Sequence, residues 1–450
     1  MEQALVDRLA EEIRYEFARE GPPERFPRFP DLPGGRYTDP AFFALEQERL
    51  WPRVWLLAGR VEDVPSSGSY WRWDDGGAPV VLVRGDDDVI RAFRNESPRR
   101  GPLTPYVDDS DLLTEVPFDA PGRFFVQHRF PRRTLPDGVL RCQQTGWCYD
   151  LQGRLVWVPT GGLLLDDIPY EQRMLTEHRC EVWDGWVFVN RDHDAPPLLS
   201  WLGPVADEMA QFQGATLRRW ERGSIVLDAN WKVATEAFQE VYHFKHIHQH
   251  DGVTLLDQRG ATMGLFLNGH SRMVTPFTKR MCELFGMQDA TDWRDDSVPA
   301  GLASLYGHAQ PIPSVVPMVK ATSTAYSIFP NLVSPVSDTG LTFIISWPID
   351  VDHCLHEWMT FSPDWGEDTP EIEARRAALL QTPRTIIEED VRNIAPMYAS
   401  LRSPGLLGIP LSYQERRIYW SAETLDRVIG SGSIPSHLRV PPLLDPYVER

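Results

Sequence analysis

The sequence predicts an α+β protein in which a small antiparallel β domain precedes a larger mixed domain. Between residues 55 and 190, short β-like runs such as APVVLVRG and VWDGWVFVN are separated by Gly, Asp and Pro turns, a pattern typical of antiparallel sheets. After a linker at 195–204, strand-like runs alternate with long helical runs, without the strand–helix–strand rhythm of a parallel sheet. A chain of 450 residues is long enough for two or three domains.

The N-terminal part predicts a helix followed by a break. Apolar residues at Leu5, Leu9, Ile13 and Phe17 recur at helical spacing, and the Pro-rich run GPPERFPRFPDLPGG that follows cannot continue a helix. We expect this segment to pack on the second domain. The expected divisions are an N-terminal helical segment, a β domain and a mixed domain, at residues 1–52, 53–190 and 191–450.

The mixed domain predicts both strands and helices. SIVLDANWKVA, AYSIFPNLVSP and GLTFIISWPID have the apolar, β-branched composition of strands. We predict helices over residues 234–250 and over the long run from TPEIEARR to NIAPMY. In the β domain, the charge-rich stretch 101–141 is interpreted as an insertion.

Composition excludes several classes of partner. The formal net charge is −19, from 64 acidic against 45 basic residues, and such an acidic surface repels nucleic acid. The charged N-terminus lacks the apolar core of a signal peptide, and no run of about 18 apolar residues could span a membrane. The 5 cysteines form no evident disulfide framework. We therefore expect a cytoplasmic protein with reduced thiols, no membrane and no nucleic acid.

The run EAFQEVYHFKHIHQH, residues 236–250, holds four of the 12 histidines and raises the question of a metal site. His246 and His250 are four apart and would share one helix face, but the glutamate that a zinc metalloprotease places between such histidines is missing. His243 and His248 are five apart, about 140° out of phase on an ideal helix. They can chelate one ion only where the helix ends between them, with a distant acid as third ligand. Polar surface or hydrogen-bonded core histidines remain a further interpretation.

The segment NWKVATEAFQEVYHFKHIH, residues 230–248, resembles the iron-binding segment of the α-subunits of Rieske non-haem iron oxygenases. In that family, Asn-Trp-Lys and a short gap precede Glu-Asn-Phe-x-(Asp/Glu)-x-Tyr-His, and a second His follows after four residues. This sequence departs from the pattern at Ala237. The runs beginning RYTDPAFF, VFVNRDHD and SIFPNLVSP are also similar to family landmarks, so that the resemblance covers nearly the whole chain.

The resemblance implies a mononuclear Fe2+ held by His243, His248 and an aspartate on a late helix. TIIEEDVRN is similar to that helix and makes Asp390 the third ligand, with Glu388 or Glu389 as alternatives because three acids are consecutive. Glu240 corresponds to the family carboxylate that orients the ligands through hydrogen bonds and connects the iron to its electron donor.

The same family carries a [2Fe–2S] Rieske cluster, held by two cysteines and two histidines in its N-terminal domain. Here the two ligand motifs read NESPRRG and CQQTGWCY. The four ligand positions are occupied by Ser97, Arg99, Cys142 and Thr145. A serine hydroxyl is a poor substitute for thiolate and an arginine cannot ligate iron. Since a replacement site from Cys148 and His128 would need new geometry, we expect a Rieske fold without a [2Fe–2S] cluster.

The implied fold is an N-terminal Rieske-like antiparallel β domain and a helix-grip catalytic domain, in which a curved antiparallel sheet surrounds a long helix. The implied activity is O2-dependent hydroxylation or demethylation of a small, largely apolar aromatic or alicyclic substrate, as in aromatic catabolism. Electrons would come from a Rieske cluster on a partner, an intact α-type subunit with its ferredoxin and reductase, in a trimer or hetero-oligomer.

Two alternatives to this activity stay open. One is an iron enzyme that needs no Rieske cluster, because the electrons come from the substrate or because the chemistry is not redox. The other is a non-catalytic scaffold subunit of an oxygenase complex. Phe238, Val241 and Phe329 are candidates for lining a substrate cavity, and ordinary core packing explains them equally well.

Overall fold

The structure is a computed structural model in two compact units. It describes residues 1–99, 101–104, 109–118, 122–159, 170–248, 254–293, 311–403, 405–406 and 408–449. The larger unit consists of residues 1–46, 114–128 and 201–450, and the smaller unit of residues 47–113 and 129–200. Each unit has its own β-sheet and its own apolar core.

The longest of the described strands belong to the larger unit, which also contains very short ones. In chain order they are β1 Leu32–Pro33, β2 Leu56–Arg60, β3 Ser69–Trp73, β4 Val80–Arg84, β5 Ile90–Arg94, β6 Leu113–Val116, β7 Phe124–Gln127, β8 Arg133–Thr134, β9 Leu140–Arg141, β10 Cys148–Tyr149, β11 Leu155–Trp157, β12 Glu177–Trp183, β13 Trp186–Asn190, β14 Leu217–Leu227, β15 Thr262–Phe266, β16 Ser271–Pro276, β17 Thr322–Ile328, β18 Leu332–Ser337, β19 Gly340–Pro348, β20 Cys354–Pro363, β21 Gly408–Ile409 and β22 Val448–Glu449.

Helices occur mainly in the larger unit. They are α1 Gln3–Ala18, α2 Gly35–Thr38, α3 Pro40–Arg49, α4 Leu198–Leu202, α5 Pro204–Met209, α6 Trp231–Glu236, α7 Phe244–Ile247, α8 Lys279–Leu284, α9 Pro317–Lys320, α10 Pro370–Leu401 and α11 Arg416–Ile429. In the described part of the chain, none of them combines the length and the apolar character that crossing a membrane requires.

The smaller unit is an antiparallel β domain, as predicted. Among the described residues, seven strands form one sheet in the order β2-β13-β12-β5-β4-β3-β8, and β11-β10-β9 form a second sheet of three. Apolar side chains from both sheets, including Val81, Phe93, Leu140 and Tyr149, make one buried cluster. The stretch 101–141, interpreted as an insertion, supplies β6 to the larger unit's sheet together with β7.

The larger unit is built on a long antiparallel sheet. The described strands pair in the order β22-β15-β16-β17-β18-β19-β20-β14-β7-β6, and β22 is parallel to its neighbour β15. Along β19, eight consecutive residues from Gly340 to Trp347 are buried, so both faces of the sheet are covered there. Helix α6 packs against β19 and β20, and α10 packs against α6 and β14. The predicted α+β class, with helices held against a curved antiparallel sheet, is confirmed.

The predicted helix over 234–250 is wrong in its extent. Helix α6 begins at Trp231, because the Asn230 side chain accepts a hydrogen bond from the Lys232 amide at 3.1 Å and caps it. It ends at Glu236, and the four-residue helix α7 follows after a turn. The same cap ends the strand predicted over SIVLDANWKVA, since β14 stops at Leu227. The pattern of residues 234–250 favours one continuous helix, but capping and tertiary packing divide this segment into separate elements.

Among the described elements, helix α10 is the longest, and it carries the neighbouring acids Glu389 and Asp390. Its N-terminus is capped by the Thr369 hydroxyl, which accepts from the Ile372 amide at 3.3 Å, and Pro370 occupies its first turn. Two prolines, Pro383 and Pro396, lie inside the helix and bracket the run that contains Asp390. Asp390 lies on the buried side of the helix, beside His243 and His248.

Candidate metal centre

The end of helix α7 explains how two histidines five residues apart can face the same point. His243 immediately precedes this helix and His248 immediately follows it, with φ −92° and ψ 57° outside the helical range. Because the backbone leaves the helix at that residue, His248 turns back toward His243. Their Nε2 atoms are 3.2 Å apart. Of the other histidines in this run, His246 is exposed and His250 lies outside the described residues.

The third group at this point is Asp390 from α10. Its Oδ1 lies 3.4 Å from the Nε2 of His243 and 3.2 Å from the Nε2 of His248. The donor atoms of the three residues lie within 4.8 Å of one another. An ion about 2 Å from each donor fits between them, and two imidazoles with one carboxylate are the donor set of non-haem Fe(II) sites. These residues therefore fit a mononuclear iron on one face and leave its other face open.

Two further carboxylates fix the orientation of the imidazoles. Glu240 makes a short contact with the Nδ1 of His243, and Glu389 Oε2 lies 2.7 Å from the Nδ1 of His248. Each carboxylate accepts a hydrogen bond from Nδ1–H of its histidine. Both Nε2 atoms therefore face the point between His243, His248 and Asp390. Glu240 also accepts hydrogen bonds from the backbone amides of Tyr242 and His243, which hold it in place.

The charges of this cluster are strongly coupled. Burial lowers the pKa of His243, but the hydrogen bonds of Asp390 and Glu240 outweigh it and raise the pKa to about 9. The pKa of His248 is also raised, because Asp390 and Glu389 outweigh its burial. Burial raises the pKa of Asp390, yet its two histidine partners hold the pKa below the ordinary value. Asp390 is therefore an anion at neutral pH, as a ligand for a cation must be.

The three consecutive acids on α10 take three different positions. Asp390 is buried between the histidines, Glu389 contacts the outer nitrogen of His248, and the Glu388 carboxylate lies 3.9 Å from Arg392 on the next turn. Successive helix positions are about 100° apart, so only one of three neighbouring residues can face the centre. In the described geometry that residue is Asp390.

Sequence reasoning missed two buried groups beside the centre. His356 on β20 stacks on Phe238 with ring centroids 5.5 Å apart, and its Nδ1 is bonded to the Ser346 hydroxyl at 3.0 Å. Burial lowers the pKa of His356 to about 4, so this imidazole is neutral. Arg417 on α11 is fully buried and donates to the Gln239 carbonyl at 3.2 Å, which braces the residue before Glu240. Neither belongs to a local motif, so the sequence offered no signal for them.

The three residues that the sequence suggested for a substrate cavity lie in different surroundings. Val241 is completely buried and belongs to an apolar cluster with Met263 and Met273, which is the ordinary core role. Phe329 is also buried, and it lines a small cavity beside Glu236 on α6. Phe238 is half-buried, next to His356.

The positions of the Rieske ligand motifs converge in the smaller unit but do not fit the cluster. The Ser97 hydroxyl is 3.0 Å from the Tyr149 hydroxyl, and it accepts a hydrogen bond from the Arg99 amide at 3.2 Å. The Arg99 guanidinium lies over the Trp147 ring, 5.5 Å from its centroid. A Rieske cluster requires two thiolates and two imidazoles. Of the four positions, only Cys142 supplies such a ligand.

Cys142 is fully buried among these hydroxyl groups. Burial raises the pKa of its thiol, but the Thr145 and Ser97 hydroxyls and the neighbouring amides outweigh this and lower it below the ordinary value. The replacement ligands considered from sequence are engaged elsewhere. His128 lies in the larger unit, 2.9 Å from Glu221. The Cys148 thiol donates to the Gly146 carbonyl at 3.3 Å.

Comparison with known proteins identifies the larger unit. Residues 215–431 match the family model of the ring hydroxylating α-subunit catalytic domain. Over 217 residues the chain is 28% identical to the oxygenase subunit of glycine betaine monooxygenase from Chromohalobacter salexigens, covering 48% of this chain and 43% of that protein. It is 29% identical over 217 residues to the α-subunit of biphenyl 2,3-dioxygenase from Rhodococcus jostii, covering 46% and 41%. These alignments span less than half the length of each relative.

Solved structures match over almost the whole fold. A quaternary ammonium Rieske monooxygenase in complex with L-carnitine superposes with a TM-score of 0.65 at 18% identity, covering 91% of this chain and 99% of that one. Naphthalene 1,2-dioxygenase from a Rhodococcus species superposes with a TM-score of 0.63 at 15% identity, covering 96% and 100%. The family model and these relatives agree on the larger unit, which contains a catalytic domain of the ring hydroxylating α-subunit kind, and the solved structures show the same fold.

Proposed function

We propose that this chain is a mononuclear iron oxygenase subunit that hydroxylates or demethylates a small, largely apolar aromatic or alicyclic compound. The observation that carries the proposal is the group of His243, His248 and Asp390, whose donor atoms converge within 4.8 Å. Ferrous iron held in this way supplies open coordination positions at which O2 is activated. The two relatives named above are a biphenyl 2,3-dioxygenase and a glycine betaine monooxygenase, and both are oxygenases that act on small organic molecules.

The residues around the centre have separate roles in this proposal. Asp390 provides the buried negative charge that binds the cation. Glu240 and Glu389 accept hydrogen bonds from Nδ1–H of the two histidines, so that both Nε2 atoms face inward, where a metal ion would displace their protons. Phe238 and His356 form a wall of low polarity beside the ligands, against which an apolar substrate would exclude water.

The electrons are proposed to come from a Rieske cluster on a partner protein. Only one of the four cluster positions in this chain can ligate iron, so we expect no [2Fe–2S] cluster here. The partner would be an intact α-type subunit, supplied in turn by a ferredoxin and a reductase, within a trimer or hetero-oligomer of the cytoplasm. Glu240 would connect the iron to this donor. It lies close to the surface beside Tyr242, which is 57% exposed.

The first test measures iron and acid-labile sulfide per chain in protein purified alone and without oxygen. We expect about one iron, the number a single facial triad holds, and no sulfide. Stoichiometric sulfide would contradict the loss of the cluster. Absence of iron after anaerobic Fe(II) reconstitution would favour the scaffold alternative.

The second test uses the complex with its donor. Asp390→Ala should abolish substrate oxidation by the complex, because the site then lacks its charged ligand. Unchanged turnover would assign the chemistry to the partner subunit. Product formation by the isolated iron-loaded chain, without any donor protein, would favour an enzyme that needs no Rieske cluster.

A further inference from the structure

A group of nitrogen donors, some of them without acceptors among the described residues, lies on one face of the seven-stranded sheet in the smaller unit. His178 on β12 pairs with Ala92 on β5, and Arg179 pairs with Asn190 at the end of β13, so Arg191 follows next to His178. Residues opposite each other in an antiparallel sheet share a face. Arg94, two residues after Ala92, points to the same side because strand side chains alternate.

The central member of this group is a buried histidine without partners. His178 is 9% exposed, and neither of its ring nitrogens has a hydrogen-bond partner among the described residues. A buried polar group in a native protein normally has one. Burial lowers its pKa to about 4, and the positive charges of Arg191, His193 and Arg94 act in the same direction. The imidazole is therefore neutral and is surrounded by cations.

Two further donors meet at the same place. In the part of the chain that the structure describes, Arg191 makes neither an ion pair nor a hydrogen bond, and the buried Nε2 of Gln47 has no partner. A Cβ placed on Gly77 would lie 3.6 Å from the Arg191 guanidinium and 3.6 Å from Gln47 Oε1, so both side chains flank this glycine. The absence of a side chain at Gly77 leaves space between them.

The acids near this face are occupied elsewhere. Glu96 pairs with Arg94 at 2.7 Å. Asp192, directly after Arg191, accepts a hydrogen bond from the backbone amide of Asp194 at 3.0 Å within its own loop. The half-buried guanidinium of Arg191 is thus a cation with no carboxylate partner among the residues that the structure describes. Such an arrangement lowers the pKa of Arg191, chiefly through burial and then through the charge of Arg94.

We propose that Arg191, His178 and Gln47 form a binding site for a small oxyanion, a carboxylate or a phosphate. The guanidinium offers a planar fork of donors that matches two oxygen atoms. The Gln47 amide and one ring N–H of His178 supply further donors from the sides. A bound anion would satisfy the unpaired nitrogens and offset the mutual repulsion of Arg94 and Arg191. This inference is independent of the iron site, which lies in the other unit.

The test is calorimetric titration of the full chain, in a chloride buffer of fixed ionic strength, with inorganic phosphate and, separately, with succinate. We expect saturable binding of at least one of them, weakened tenfold or more by Arg191→Gln. The matched control is Arg173→Gln, an exposed arginine of the same unit that should leave the affinity unchanged. Tighter binding of phosphate would assign a phosphate site, and tighter binding of succinate a carboxylate site.

A second readout does not depend on the stability of the variants. The ring proton resonances of His178 in the wild-type chain should titrate at higher pH when the anion is present, because an adjacent negative charge favours imidazolium. His437, an exposed histidine of the larger unit, serves as the internal control. The proposal is overturned if His178 titrates identically with and without phosphate and succinate. It is also overturned if Arg173→Gln weakens binding as much as Arg191→Gln.

Discussion

Replacing Glu389 by glutamine tests whether the carboxylate behind His248 supports the metal. The substitution keeps the size of the side chain and an acceptor for the Nδ1 proton, but it removes the charge. The bond is 2.7 Å long and both side chains are only 18% exposed, so solvent screens it weakly. Its loss should therefore lower the basicity of His248 and loosen the orientation of the ring.

The size of the effect can be bounded in two ways. Loss of a hydrogen-bonded partner behind a metal-ligating histidine costs about 10- to 100-fold in metal affinity. A hydrogen bond to a charged group contributes about 1.5–3 kcal/mol, which corresponds to roughly the same range at 1.4 kcal/mol per factor of ten. Because glutamine still accepts the proton, we expect about 10-fold for Glu389→Gln and up to about 100-fold for Glu389→Ala.

The assay is an anaerobic Fe(II) titration in competition with a chromophoric chelator. Glu388→Gln is the matched control, since it changes the same residue type one position away on α10, with its carboxylate 3.9 Å from Arg392. Equal losses in both variants would show a general effect of helix charge. Undiminished affinity in Glu389→Gln, with a loss in Glu388→Gln, would refute the assignment of Asp390 as the ligand, because the helix would then face the metal in another register.

Three further predictions concern the same unit. Glu240→Gln should retain iron but slow single-turnover product formation about 10- to 100-fold, and unchanged rates with a chemically reduced donor would contradict its role. Lys232→Met leaves Glu46 as an uncompensated buried charge, since their ion pair is 2.6 Å long and almost free of solvent. The free energy of unfolding, measured with denaturant, should fall by about 3–5 kcal/mol. A loss below about 1 kcal/mol would mean that water reaches the pair. Burial raises the pKa of Glu236 from 4.5 to about 7, so the folded state holds this proton more tightly and wild-type stability should fall as pH rises from about 4.5 to 7. Glu236→Gln removes this dependence and should be the more stable protein above pH 7 by up to roughly 3 kcal/mol, at about 1.4 kcal/mol per pKa unit, whereas parallel stability curves would contradict the shift.

The β architecture was predictable because its signals are local. Turn residues between short β-branched runs mark strand ends wherever they occur, and the antiparallel sheets of both units follow from them. The long helix over 370–401 was predictable from its period and from the Thr-Pro at its start. The division of 234–250 was not, since the Asn230 cap and the packing of α6 on β19 and β20 override a continuous apolar period.

The metal centre was only partly predictable from residue spacing. Two histidines five residues apart can bind the same metal ion only if the helix between them ends. No local signal at Ile247 or His248 predicts that end. The choice of Asp390 depended on the family resemblance, because any of three consecutive acids satisfied the pattern. Glu389 behind His248 and Arg417 behind Gln239 depend on contacts between distant parts of the chain, which a single sequence does not encode in any motif.

The wide separation of the ligands along the chain has a consequence for folding. His243 and His248 come together across only five residues, whereas Asp390 follows His248 by more than 140 residues. Closing that loop requires most of the ten-stranded sheet to have formed, because β15 to β20 all lie within it. An unfolded chain can offer the metal two histidines, but a complete set exists only after the unit has folded. Iron at the proposed site would therefore bind the folded state in preference and stabilise it, so that metal supply would change how much of the folded protein persists.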